Sequence, residues 1–196
     1  MARIDPLPRE ELADFEPGFA MVEQMMGFVP NSMFAMPRVP GLLPAFQAMG
    51  AALMTGNVIS RELTQMVAQI ASTVAGCRYC QAHTAHTAER AGVSAEKLAD
   101  VWLFETSDHF DDAERAALRL AFKAASQPNA ATAEDFAACA EFFDDAEISA
   151  IVAVVSFFGF LNRWNDTMAT DLEEHPMAFG QRVLAEGGWE AGKHAG

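Results

Sequence analysis

The chain has 196 residues, 51% hydrophobic and 20% charged, which is enough for one substantial buried core and sets a single domain as the default. Its 27 acidic against 13 basic side chains leave a formal net charge of −14, which repels nucleic-acid phosphates and anionic lipid and argues against both as partners. Residues 1–8 carry no apolar signal core, and the longest apolar stretch, Ile148–Leu161, is 14 residues against the roughly 18 of a membrane span, so a cytoplasmic location is expected.

Alternating strand patterns are absent, whereas alanine-rich segments with apolar residues at three- and four-residue steps recur, so the predicted fold class is all-α. The predicted organisation is one helical domain over 1–196, with an N-terminal arm of about 1–58, a cysteine-bearing core of about 59–105 and C-terminal helices over about 111–186. The arm reads as a helix from about Arg9 to Met26, a stretch punctuated by Pro30, Pro37, Pro40 and Pro44, and a helix from Leu43 to Met54. Ser60 then caps a helix whose Leu63, Met66, Val67, Ile70 and Val74 share a face, ending near Gly76. A further helix carries Cys77 to Ala91, stopped by Gly92, and Ser94 opens the next. Asp111 or Asp112 caps a helix bearing Ala116, Leu120 and Phe122, and Thr132 starts another. After Asp144 and Asp145, a run apolar all round extends to Ala169, the mark of a helix buried centrally or at a subunit interface. The last helix, His175 to Ala185, leads into a tail expected to be loose.

The chemistry-bearing segment is Gly76-Cys77-Arg-Tyr-Cys80-Gln-Ala-His83-Thr84-Ala-His86. On a helix advancing about 100° per residue, Cys77 and Cys80 fall about 60° apart, a spacing that allows a disulfide if the first turn adapts. The unpaired N–H groups of a helix start favour a thiolate, so cysteines there are expected to have lowered pKa values. His83, three residues beyond Cys80, lies on the same surface and can exchange a proton with its thiol. Haem attachment is excluded because Gln81, not histidine, follows the second cysteine, and a thioredoxin-like site lacks its preceding strand. Cys77, Cys80, His83 and His86 cannot share one zinc ion on a continuous helix, since each step turns the ligand by about 60° and the last faces away from the first; zinc would need ligands from elsewhere. No metal or other cofactor is therefore expected. Two structural, buried cysteines remain the plain alternative.

Arg61-Glu-Leu-Thr-Gln-Met-Val-Ala together with Gly76-Cys77-Arg-Tyr-Cys80-Gln-Ala-His83 resembles the alkylhydroperoxidase D-like branch of the carboxymuconolactone decarboxylase superfamily. Gly27-Phe-Val-Pro-Asn, Asp111-Asp-Ala-Glu-Arg-Ala-Ala-Leu, Phe143-Asp-Asp-Ala-Glu-Ile and Phe158-Gly-Phe-Leu-Asn-Arg-Trp-Asn-Asp resemble its peroxidase-related members, so the likeness spans roughly 20–175. The resemblance implies a helical trimer or hexamer that reduces small hydroperoxides through its two cysteines. Cys80 would attack the peroxide and become a sulfenic acid, Cys77 would condense with it, and an external dithiol donor would reduce the disulfide.

The family pattern E-x11-C-x2-C-x3-H is not fully kept. Gln65 stands where the glutamate is expected and Thr84 where the histidine is, with His83 and His86 on either side. Gln65 orients by hydrogen bonds but takes up no proton, which implies slow turnover that Gln65→Glu would raise. His83 is the better-placed base and His86 the alternative; Glu62, one turn before Gln65, is the candidate substitute carboxylate. Two other functions stay open: a decarboxylase or lyase of the same superfamily, and a redox-sensing or scaffold oligomer without turnover. Elsewhere, Cys139 reads as buried, His109 and His175 as solvated, Met21, Met25, Met26, Met33 and Met36 as packing, and Asn162, Arg163 and Asp166 as polar partners ending the apolar helix.

Overall fold

The computed structural model describes residues 1–55 and 58–196; residues 56 and 57, inside the predicted N-terminal arm, lie outside it. Helices make up the architecture, and no strand occurs among the described residues. In chain order they are α1 (Glu16–Met26), α2 (Ser32–Ala35), α3 (Leu42–Thr55), α4 (Arg61–Val74), α5 (Arg78–Ala91), α6 (Ala95–Ala99), α7 (Asp112–Ala125), α8 (Ala133–Cys139), α9 (Asp145–Met168) and α10 (Glu174–Phe179).

The predicted caps are formed. Ser60 Oγ accepts from Leu63 N at 3.0 Å and Ser94 Oγ from Lys97 N at 3.2 Å. Asp111, Thr132 and Asp144 each build a reciprocal capping box, which satisfies otherwise orphaned helix-start donors. Gly92 ends α5 at a φ of 110°, a left-handed conformation that disfavours a side chain.

α4 packs against α5, α7 and α9, and its Met66, Val67, Ile70 and Ala71 join Leu118, Leu120, Ile151 and Val154 in the main core. By length and composition α9 could cross a membrane, at 24 residues rather than the 14 of its apolar stretch, but its Ile151 and Val154 are core residues between other helices. A second cluster, with Leu12, Phe19, Val29, Met33, Met36 and Leu43, gathers the N-terminal segments.

Two expectations fail locally. The helix predicted from Arg9 to Met26 is a 3-10 segment, Arg9–Phe15, followed by α1: Leu12 leaves helical geometry, and Pro17 sits in the first turn of α1, where its missing N–H costs no helix bond. The C-terminal tail is docked rather than loose. Trp189 is buried against Gly180, its indole N–H bonds Arg78 O at 3.1 Å, and His194 is fully buried, because these groups cover the open start of α5.

Candidate functional site

Helices α1, α2, α3, α4, α5 and α9 line a cavity of about 360 Å³. Its lining is mostly apolar: Met21, Met25, Met26, Met33 and Met54 face Phe46, Phe157, Phe158 and Leu161. Most of the methionines expected as packing thus form a polarizable wall, while Met36 is packed in the second core cluster. Gln47 and Gln65 bring amides to this wall, and Gln47 Nε2 is buried without a hydrogen-bond partner.

The chemical end of the cavity is supplied by α5. Cys80, Tyr79, His83 and Thr84 line it, whereas Cys77 does not. Cys77 is the N-cap of α5, and its Sγ accepts from Cys80 N at 3.4 Å. Both thiols are free and buried. Asn165 on α9 donates from Nδ2 to Cys80 Sγ at 3.5 Å, while its Oδ1 accepts from Thr170 Oγ1 at 3.0 Å, which fixes the amide's orientation.

The helix start does not lower the Cys80 pKa. Burial pushes its thiol well above the ordinary value, and the adjacent Cys77 sulfur adds to the shift; the Asn165 hydrogen bond opposes it. The direction is opposite to the lowering that the sequence suggested, and burial is its largest cause.

His83 has a carboxylate behind it, and it is not Glu62, the candidate from the sequence. Glu173, just before α10, places Oε2 2.5 Å from His83 Nε2, while its Oε1 accepts from Asn31 N at 2.5 Å and from Tyr79 Oη at 2.9 Å. Burial alone would raise Glu173, yet the His83 charge and these hydrogen bonds hold it below the usual carboxylate value. Tyr79 is held well above its ordinary value by burial and by the Glu173 charge. The Tyr79 ring stacks on His83 at 4.1 Å between centroids, and Phe28 meets His83 edge-on at 5.3 Å, so the imidazole is clamped on several sides.

The remaining predicted positions separate cleanly. Gln65 lines the cavity with its amide 3.8 Å from Met54 Sδ. Glu62 is exposed on the first turn of α4, outside the cavity lining. His86 lies outside the lining too, among Phe28, His175 and Phe179, its pKa lowered by burial and by His83. The Thr84 hydroxyl is engaged by the Gln69 side chain and the Cys80 carbonyl. Glu173 and Asn165 carried no spacing signal relative to the cysteines, since 90 and 85 residues separate Glu173 from His83 and Asn165 from Cys80, whereas Tyr79 lies between the two cysteines and went unassigned because its partner Glu173 is remote in the chain.

The carboxymuconolactone decarboxylase family profile matches residues 40–123, which include Gln65, Cys77, Cys80 and His83. Among solved structures, the chain is similar to the debrominase Bmp8. The apo form is 35% identical over 91% of this chain and 96% of that one, with a TM-score of 0.85. A cysteine-to-alanine variant of the same debrominase in complex with 2,3,4-tribromopyrrole is 34% identical over 93% and 98%, with a TM-score of 0.87. The fold is shared with the alkylhydroperoxidase AhpD core of an uncharacterized peroxidase-related protein from Ralstonia eutropha, at 24% identity over 90% and 92% and a TM-score of 0.75. No curated protein matches. With a cysteine pair at the start of α5, this helical packing and these relatives, the chain belongs to the carboxymuconolactone decarboxylase family and has its AhpD-like fold.

Proposed function

We propose that the protein is a thiol-dependent oxidoreductase that removes halogen reductively from a small apolar aromatic molecule. The observation that carries this reading is the joint exposure of Cys80 and His83 to a cavity walled by methionine and phenylalanine. A soft, polarizable lining suits a halogenated ring, and the likeness to a debrominase supports that substrate class.

In the proposed cycle His83, oriented by Glu173, takes the Cys80 proton when substrate displaces water from the cavity. The Cys80 thiolate then takes the halogen from carbon, breaking the carbon–halogen bond and forming a sulfenyl halide, while His83 returns its proton to the ring carbon. The Cys77 sulfur attacks Cys80, expelling halide and a proton and closing the disulfide. The ring gains two electrons and the thiol pair loses two, so an external dithiol must restore the pair.

The second reading is reduction of a small organic hydroperoxide, favoured by the same cysteine pair and by a His83–Glu173 pair able to protonate a leaving alkoxide. There Cys80 attacks the distal oxygen to give a sulfenic acid and an alcohol, and Cys77 condenses with it, releasing water. A thiol switch without turnover would use the disulfide alone.

A single-turnover experiment separates the three. Reduced protein is mixed with a brominated pyrrole or with an organic hydroperoxide, and bromide, peroxide and thiol content are followed. Release of one bromide per two thiols lost, abolished in Cys80→Ser, is expected. Peroxide loss with no bromide release would move the assignment to the second reading, and loss of thiols to a general oxidant without turnover of either substrate would move it to the switch.

A further inference from the structure

Outside the cavity lies a second side-chain cluster. Cys77 Sγ, a carboxylate oxygen of Asp166 and a ring nitrogen of His194 lie within 4.8 Å of one another. His194 is fully buried, and its Nδ1 is 2.7 Å from the Thr170 carbonyl. A carbonyl accepts and never donates, so Nδ1 carries the proton and Nε2 is the atom presented to the cluster. Nε2 has no hydrogen-bond partner; Asp166 Oδ1, at 3.6 Å, is beyond that reach. A buried ring nitrogen with nothing to bind is costly, and here it faces a sulfur and a carboxylate.

We propose that Cys77, Asp166 and His194 form a binding site for a thiophilic divalent cation, with Zn²⁺ as the reference ion. Thiolate, imidazole and carboxylate are its ordinary ligands. The surrounding contacts are those a metal site uses to aim its ligands: the Thr170 carbonyl fixes the His194 tautomer, and Lys193 Nζ holds the other Asp166 oxygen at 2.8 Å. Ligands about 2.0–2.3 Å from zinc stand about 3–4 Å from one another, a separation that His194 Nε2 and Asp166 Oδ1 already have at 3.6 Å, so the cluster needs only adjustment at its wider contacts. Asp166 is half-exposed and His194 sits on a short 3-10 turn, Gly192–His194, so both have room to adjust. The ligands come from α9, the C-terminal tail and the N-cap of α5, a set that no contiguous motif displays. A bound cation would hold Cys77 as a thiolate and withhold it from a disulfide, whichever substrate the cavity takes.

The test titrates Co²⁺ and then Zn²⁺ into the fully reduced full-length protein, with thermal melting of every variant as a check of folding. One equivalent of Co²⁺ should bind with a thiolate-to-cobalt absorption that Zn²⁺ bleaches. Cys77→Ser should abolish that absorption, and Asp166→Asn and His194→Gln should each weaken Zn²⁺ binding by about tenfold or more. Cys139→Ser, remote from the cluster, should leave both unchanged. Absence of saturable binding, an absorption that survives Cys77→Ser, or an affinity indifferent to Asp166→Asn in a folded variant would overturn the proposal.

Discussion

Glu173 and His83 are 90 residues apart in the chain and 2.5 Å apart in the fold, with Tyr79 and Asn31 occupying the second carboxylate oxygen. Oε1 is thereby held by two donors, and Oε2 is left to the imidazole. A histidine backed in this way keeps its ring orientation through a proton-transfer cycle.

Glu173 should therefore act as a positioning residue for His83. Glu173→Gln is expected to lower single-turnover rates by about 10²-fold, within the range of general acid–base assistance. It should also displace the pH profile of the reaction, a change that loss of packing alone would not produce. His83→Ala should cost a similar factor, and the double variant little more, since the two groups act as a unit.

The same contact reverses the expectation for Gln65. A carboxylate at that position would be buried on an apolar wall beside Met54, at the cost of desolvating a charge, while His83 already has its partner. Gln65→Glu is accordingly expected to leave turnover unchanged or lower it, and steady-state rates beside the parent measure this directly. A clear increase would restore the role that the sequence pattern assigned to a glutamate there.

Cys80 should label slowly at neutral pH. Its thiol is held above the ordinary value of 9.0, chiefly by burial, so the rate of alkylation by iodoacetamide should still be rising beyond pH 9. Peptide mapping by mass spectrometry assigns the site. Asn165→Ala removes a hydrogen bond that favours the thiolate and should push the midpoint higher still.

Stability should depend on Glu173 with a definite sign. Its folded-state pKa lies below the ordinary 4.5, so the folded form binds fewer protons than the unfolded chain in the interval between the two values. Its contribution is complete above pH 4.5 and is lost as the pH falls through the depressed folded value. Chemical denaturation from pH 7 down to pH 3 should show this loss in the parent and a flatter acid limb in Glu173→Gln.

Gln47 offers its unpaired amide nitrogen to whatever enters the cavity. Gln47→Leu should raise KM severalfold for a substrate carrying a hydrogen-bond acceptor and leave kcat nearly unchanged, because the residue is remote from the thiol chemistry in its role. For a substrate without an acceptor the same variant should bind at least as well, since an unpaired buried donor is removed.

The helices and their caps were readable because they are local: Ser60, Ser94, Asp111, Thr132 and Asp144 satisfy donors within three residues. The proximity of Cys77, Cys80 and His83 was readable for the same reason. What sequence periodicity could not reveal depends on how the chain returns after α9. Ala169 adopts a left-handed φ of 50°, and the segment beyond it carries Thr170, Glu173 and finally His194 back to the start of α5. That return supplies the carboxylate, braces the Asn165 amide and buries the tail. The lowered thiol pKa expected from the sequence does not occur, because a helix terminus is visible in sequence, whereas the depth to which surrounding elements bury it is not.

The Asn165 amide also imposes a direction on the chemistry. By donating to Cys80 Sγ it occupies one lobe of sulfur electron density, and the Cβ–Sγ bond fixes another direction. An incoming electrophile therefore meets the sulfur from a side that neither the Asn165 amide nor Cβ occupies. For the proposed halogenated ring, selectivity among its positions would then come from the angle at which each carbon–halogen axis meets that open side, not from differences in how tightly the ring as a whole is held.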